Sequence, residues 1–331
     1  MPSQKKLKWG VLSTAKIAVQ SVIPSMQKSQ FCEIAGISSR NTKNVHTVAQ
    51  ELNIPKAYGS YEDLLADPEI EAIYNPLPNH LHVPWTIKAL EAGKHVLCEK
   101  PIAVSAYEVE QLVETSKKYP HLKVMEAFMY RFHPQWIKVK EIIKRGDIGE
   151  VRSMDSVFTY HNVDPNNIRN KEIIGGGGVL DIGCYCINLS RFIFDGEPLS
   201  VQSFVDYDPV FKIDRLASGM LKFEHGIATF MCSTQLAHRQ SATIYGTEGY
   251  MELNIPFNAA NEATRKIHLH KAGKTETIFF EICDQFTLQG DAFSKAILNN
   301  SPVPIPLEDS LINMKVIDQI LNTRLSKPIF I

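Results

Sequence analysis

The sequence predicts an α/β protein whose N-terminal half is a doubly wound parallel sheet and whose C-terminal half is an α+β domain built on an open, largely antiparallel sheet. Three observations predict it. The 331 residues exceed the size at which a single hydrophobic core usually stops growing. Between residues 7 and 127 short apolar runs alternate with helix-like segments, as strands and crossover helices of a parallel sheet do. After Arg131 strands follow one another with few helices between them, which favours antiparallel pairing. The boundary falls at 127/128, giving domains over 1–127 and 128–331.

In the first domain strands are expected at 7–12, 31–38, 70–75, 95–99 and 123–127. Apolar residues at helical spacing place helices at 83–92 and 106–118, the second with Ser105 as N-cap. The second domain begins with a helix (134–145), a strand (151–160), a polar loop, a glycine run and another helix. Strands follow at 201–207, 218–223, 227–232, 242–245 and 278–280, and helices at 286–298 and 308–322 close the chain.

Composition narrows the partner. Lys and Arg total 35 against 36 Asp and Glu, so there is no basic excess to neutralise nucleic-acid phosphates or hold a membrane surface. A small-molecule partner is expected, with no nucleic acid and no membrane. The polar start lacks the apolar core of a secretory signal, and no run approaches the ~20 apolar residues of a membrane span. The cysteines at 32, 98, 184, 186, 232 and 283 lack zinc-site spacing and read as reduced, mostly buried thiols of a cytoplasmic protein. His80, His133 and His161 have no carboxylate or Cys at ligand spacing, so no metal is assigned.

The first strand runs into Gly10-Val11-Leu12-Ser13-Thr14-Ala15-Lys16-Ile17-Ala18 and a helix, placing a tight turn and a helix N-terminus where a pyrophosphate binds in a Rossmann fold. Of the three fingerprint glycines only Gly10 is in register, with Leu12 and Ala15 at the other places. An ordinary strand-to-helix turn would look much the same. The second strand ends in Ser38-Ser39-Arg40 in place of the acid that holds a ribose 2′-hydroxyl. A hydroxyl and a guanidinium fork suit a 2′-phosphate, which favours NADP over NAD, although a solvated loop Arg fits the same residues. Further on, the apolar strand His95-Val96-Leu97-Cys98 delivers Glu99 and Lys100 to the carboxyl edge of the sheet, where ligands bind in such folds, and Pro101 ends it.

Glycines ahead of an apolar helix, in Gly176-Gly177-Gly178-Val179-Leu180-Asp181-Ile182-Gly183-Cys184-Tyr185, allow close backbone approach to a ligand. Asp181 and Tyr185, four apart, share a helix face. A capping Asp beside a half-buried Tyr is the plainer interpretation of that segment.

With Glu99-Lys100-Pro101, this glycine segment, Asn75-Pro76-Leu77-Pro78-Asn79-His80-Leu81-His82 and Glu126-Ala127-Phe128-Met129-Tyr130-Arg131-Phe132-His133-Pro134, the chain resembles the Gfo/Idh/MocA oxidoreductases over essentially its whole length. Within them it is most similar to the branch of glucose-fructose oxidoreductase, NADP-dependent xylose dehydrogenase and dimeric dihydrodiol dehydrogenase. The resemblance implies an NADP-binding domain followed by a substrate-binding and oligomerisation domain. It also implies hydride transfer at a hydroxyl-bearing carbon of a sugar-like substrate, and a homodimer or higher oligomer through the C-terminal sheet.

The resemblance further implies catalytic positions Lys100, Asp181 and Tyr185. Its cofactor positions are Gly10, Ser13, Thr14, Ala15, Ile17, Ser39, Arg40, Leu77, Asn79, His82, Glu99, Lys100 and Arg169. Ser13 stands where the family often has Gly, tolerable if its torsions are not left-handed. Tyr185 is the expected acid/base. A free Tyr has a pKa of about 10, so a base near neutrality needs roughly 4 kcal/mol of electrostatic help, which the Lys100 charge can supply. Asp181 would orient Lys100 or a substrate hydroxyl, and Tyr160, His161 and Asn162 are pocket candidates by position. The alternative is a non-catalytic NADP-binding sensor of the same fold, against which the retention of Lys100 and Tyr185 argues. Sequence leaves open the substrate, the direction, and whether the nucleotide exchanges.

Overall fold

A computed structural model describes residues 5–258 and 264–322, in two compact units: Met1–Met129 with Asp284–Leu311, and Tyr130–Cys283 with Ile312–Ile331. The first unit opens with β1 (Leu7–Leu12), α1 (Ile23–Gln27), β2 (Cys32–Ser38), α2 (Thr42–Glu51), β3 (Lys56–Tyr58) and α3 (Tyr61–Ala66). It continues through β4 (Ala72–Asn75), α4 (His82–Glu91), β5 (His95–Cys98), α5 (Ala106–Ser116) and β6 (Val124–Glu126). All six strands are parallel, in the order β3-β2-β1-β4-β5-β6, so the strand order reverses between β1 and β4, the crevice where doubly wound sheets bind ligands. Asn41, Ser60 and Ser105 cap α2, α3 and α5 by accepting backbone N–H groups with their side chains, satisfying donors the first helical turn leaves unpaired.

Gly10 serves packing. A Cβ there would stand 2.6 Å from Leu64 Cδ2 and 3.0 Å from Ile70 Cγ2, so the missing side chain lets α3 and the start of β4 close on β1.

The second unit contains α6 (Pro134–Lys144), β7 (Val151–His161), α7 (Cys184–Phe194) and β8 (Ser200–Tyr207), then β9 (Asp214–Lys222), β10 (Ile227–Ser233), β11 (Gln235–Gly246), β12 (Gly249–Leu253), β13 (Arg265–Lys271) and β14 (Lys274–Phe280). The sheet order is β14-β13-β12-β11-β7-β10-β9-β8, antiparallel except where β10 runs parallel to β7. One face is covered: α7 packs on β7 and β10, and Phe158, Leu221, Phe230, Ile244 and Met251 are buried. On the opposite face the register aligns Phe204 with Ser218, Met220 with Thr229 and Tyr245 with Tyr250, and it leaves Phe204 74% and Phe279 70% exposed.

The chain then forms α8 (Gln285–Leu298) and α9 (Leu307–Asn322). A single cut at 127/128 would put α8 in the second domain, yet its contacts belong to the first unit. Phe293 meets Trp9 with ring centroids 5.6 Å apart, Trp9 Nε1 donates to Ser294 Oγ at 3.3 Å, and Ser25 Oγ donates to Asp284 Oδ2 at 2.6 Å. An apolar helix docks where complementary surface remains, whatever its place in the chain. One stretch, Glu172–Phe194, is long and apolar enough by length and composition to cross a membrane, but 72% of its apolar window is buried inside the protein; that composition suits a core helix. Five of the six cysteines are buried.

Candidate active site

The candidate residues fall into two groups, one in each unit. In the first unit, the turn after β1 places Ser13 with φ +72°, so the left-handed conformation that would have disfavoured a Ser is the one it adopts. Its Oγ accepts the Ala15 N–H at 3.1 Å, a local bond that offsets part of the roughly 1–2 kcal/mol cost of that backbone in a non-glycine residue. Thr14 Oγ1 accepts from Asn44 Nδ2 at 2.8 Å, tying the turn to the first turn of α2. Ser13, Thr14 and Ala15 are half-buried and Ile17 is 38% exposed. A π-type turn, Ala18–Val22, follows and leads into α1. At the end of β2, Ser39 is buried, its Oγ accepting the Asn41 N–H at 3.2 Å, and Arg40 is exposed.

The turns after β4 and β5 are bound to each other through His82. Its ring is 1% exposed; Nδ1 lies 2.7 Å from the Pro101 carbonyl oxygen and Nε2 2.6 Å from that of Leu77. Burial pushes the ring's pKa down to about 4, against the two carbonyls, which favour its charged form. With both nitrogens against backbone, His82 is a strut between the turns that carry Asn79 and Lys100. Asn75 supports the same strut, its Nδ2 donating to the His82 carbonyl at 3.0 Å and to Thr86 Oγ1 at 3.2 Å. Leu77 is buried and Asn79 half-buried. Glu99 joins β4 to its own segment, its Oε1 accepting from Tyr74 Oη at 2.7 Å and its Oε2 from the Lys100 N–H at 3.2 Å. Beyond Pro101 the Ile102 N–H donates to the buried Glu126 at 2.9 Å. The backbone on either side of Lys100 is thus held by two carboxylates.

In the second unit a π-type turn, Val179–Gly183, precedes α7. Such widened turns recur at functional sites. Asp181, 9% exposed, stands in that turn and Tyr185 in the first turn of α7. Tyr160 Oη donates to Asp181 Oδ2 at 2.5 Å, and Arg169 Nε donates to the same oxygen at 3.0 Å. The Asp181 charge holds the Arg169 guanidinium above its ordinary pKa, while burial and that same charge push the Tyr160 phenol up. Arg169, carried from the resemblance as a cofactor contact, pairs with Asp181 through Nε. Tyr160 belongs to this cluster; His161 is exposed and Asn162 half-buried. Tyr185 is 4% exposed, its ring centroid 5.9 Å from Tyr130, 5.8 Å from Phe158 and 5.4 Å from Phe257. A phenol buried with these rings sits where electrostatic interactions are strong.

The glycine run makes its close approach to the protein itself. A Cβ on Gly176 would stand 2.5 Å from the Arg169 carbonyl oxygen, and one on Gly177, at φ +120°, would overlap the Asp214 carboxylate. Asp214, at the start of β9, accepts the Val179 N–H at 2.5 Å. Asn44, Asn75, Glu126 and Asp214 had no assigned part from sequence. Asn75 and Glu126 open two of the motifs, and Asn44 and Asp214 show as ordinary polar residues until the fold brings their partners to them. His133, one of the three unassigned histidines, caps α6 by accepting the Gln135 N–H. Among the described residues no group of three or more His, Cys, Asp or Glu is arranged to hold a metal ion.

The family model described as an oxidoreductase family with an NAD-binding Rossmann fold matches residues 7–128, and the GFO/IDH/MocA C-terminal domain matches residues 136–252. An uncharacterized oxidoreductase of Rhizobium meliloti is 45% identical over 95% of this chain and 96% of its own length. A D-xylose 1-dehydrogenase (NADP(+)) of Haloferax volcanii is 36% identical over 94% of this chain and 95% of its own. Among solved structures, a 3-ketoreductase from Actinomadura kijaniata in complex with NADP and TDP-benzene superposes with a TM-score of 0.89 at 27% identity, covering 96% of this chain and 97% of that one.

Proposed function

We propose that this chain, which belongs to the GFO/IDH/MocA family of oxidoreductases, transfers a hydride between NADP and a hydroxyl-bearing carbon of a sugar-like substrate, with Lys100 and Tyr185 in proton transfer. The observation that carries most weight is the presentation of Tyr185 beside a braced carboxylate on one helix: Asp181 is fixed by Tyr160 and Arg169, and Tyr185 is held by aromatic rings. A non-catalytic sensor has no use for a phenol prepared in this way.

The residues of the first unit fit a dinucleotide. The tight turn at Ser13 lies beside the reversal of strand order, and β2 ends without a carboxylate to repel a 2′-phosphate. Ser13, Thr14 and Ala15 would hold the pyrophosphate, Ser39 and Arg40 the 2′-phosphate, and Asn79, Glu99 and Lys100 would border the nicotinamide. NADP when bound supplies or accepts the hydride. Lys100 then places positive charge at the reacting oxygen, Tyr185 gives or takes the hydroxyl proton, and Asp181 keeps Arg169 and Tyr160 in place around that oxygen.

The test is to mix the protein with NADP⁺ or NAD⁺ and a panel of aldoses and dihydrodiols, following absorbance of the reduced nicotinamide. Substrate-dependent reduction of NADP⁺ in preference to NAD⁺ is expected. Tight NADP⁺ binding without turnover across the panel would favour the sensor instead. Arg40→Ala should weaken NADP⁺ binding by about 10- to 100-fold, the loss of a charge-assisted bond of roughly 1.5–3 kcal/mol, and leave NAD⁺ binding nearly unchanged; equal weakening of both would remove Arg40 from the phosphate site.

The uncovered sheet face, with Phe204, Met220 and Phe279 exposed, is proposed to pair with a second copy. Sedimentation should give a dimer for the native chain and a smaller species for Phe204→Glu with Phe279→Glu. A monomeric native chain would end the idea.

A further inference from the structure

We propose that Asp214 is the positioning residue on which the opening turn of the Tyr185 helix is folded, and that its ionisation loosens this turn. The part that concerns catalysis rests on the reading of Asp181 and Tyr185 given above. Asp214 is 4% exposed and lies under the N-terminus of the helical segment that carries both residues. The Val179 N–H donates to its Oδ2 at 2.5 Å, and the N–H groups of Gly178 and of Asp214 itself also favour the carboxylate. Gly177 takes φ +120° against it, and a Cβ on Gly178 would stand 3.4 Å from Oδ2. The backbone from 177 to 179 is therefore moulded on this one side chain.

The charges around it are unevenly shared. Asp181, on the turn above, takes the Arg169 guanidinium and the Tyr160 hydroxyl, and its charge opposes ionisation of Asp214. From β10 the buried Cys232 thiol faces the same carboxylate and is pushed well up by burial, with the Asp214 charge adding to that rise. Arg215, next on β9, turns its Nε to Asp206 at 2.7 Å. Among the described residues Asp214 is thus left with backbone donors alone, and burial pushes its pKa up to about 7.

The sign follows from linkage. A carboxyl whose folded pKa lies above its ordinary value holds its proton more tightly when buried than when open to water. The closed turn is therefore most stable with Asp214 protonated; it loses stability as pH rises from the ordinary carboxyl value of 3.8 to about 7, and the loss is complete above that. Within that window each pH unit raises the opening constant by at most about tenfold.

Hydrogen exchange read by mass spectrometry on the whole protein, without cofactor or substrate, tests this independently of the proposed reaction. In peptides covering residues 177–185, and after correction for intrinsic exchange, protection should fall by up to about tenfold per unit between pH 5 and about 7. It should then level off above about pH 7, where the carboxyl is ionised in the closed and the open turn alike. In Asp214→Asn, which keeps an acceptor and is never charged, the corrected protection should be flat over the same range. Should that variant fail to fold, Asp214→Ser supplies a smaller uncharged acceptor for the same comparison. A pH-independent wild type, or an equal fall in the uncharged variant, overturns the proposal. Turnover adds a second readout: the ratio of kcat in Asp214→Asn to that in wild type should rise with pH through this window with KM little changed, and a constant ratio would detach Asp214 from catalysis.

Discussion

Tyr185→Phe should lower kcat by about 10²- to 10⁴-fold, the range over which a positioned proton donor or acceptor acts, while the Kd for NADP⁺ stays within about twofold. The structure makes this a clean substitution. The Tyr185 ring is held by Tyr130, Phe158 and Phe257 at centroid distances of 5.4–5.9 Å, and a Phe ring fills the same space. Tyr130 keeps its own bond to Asn188 at 2.6 Å, so the cluster retains an anchor to α7. A thermal melt near that of the wild type, with turnover nearly abolished, is the expected pair of results. Full turnover in the variant would remove Tyr185 from proton transfer.

Lys100→Met should cost about 10²- to 10³-fold in kcat/KM, the usual worth of one preorganised charge or donor at a reacting oxygen. Met keeps the length and apolar stem of the side chain, and the backbone does not depend on the ammonium: the Lys100 N–H is bound to Glu99 and the Ile102 N–H to Glu126. If Lys100 acts by easing the loss of the Tyr185 proton, the two groups form one unit and their effects will not multiply. The double variant should then be only a few-fold worse than the poorer single one. Steady-state kinetics of the four proteins decides between a coupled pair and two independent contributions.

Much of the fold was legible. Strand β1 begins and ends where the apolar run does, and β5 stops one residue short of the predicted end, because strands buried on both faces are continuously apolar and bounded by turn residues. Where strands are half-solvated the signal failed. Strand β11 spans Gln235–Gly246, although only 242–245 was expected, because Leu236 to Arg239 are exposed and carry no alternation. Strands β3, β12 and β13 were not singled out, the first being three residues long and the others partly polar.

The sequence by itself determined the architecture, the family, and the motifs from which candidate residues could be named. Apolar periodicity, capping residues and short motifs are local properties that survive in one dimension. What each candidate does for its neighbours was decided by the tertiary structure. Gly10 gives its space to Leu64, 54 positions on, and the glycine run is shaped by Asp214, 35 positions beyond Val179. His82 ties Leu77 to Pro101 across two crossover turns, and Asp181 meets Tyr160 from another strand. The physical reason is that hydrogen bonds, desolvation and steric exclusion act over a few ångströms of space, and the pairs they join are chosen by how strands and helices stack.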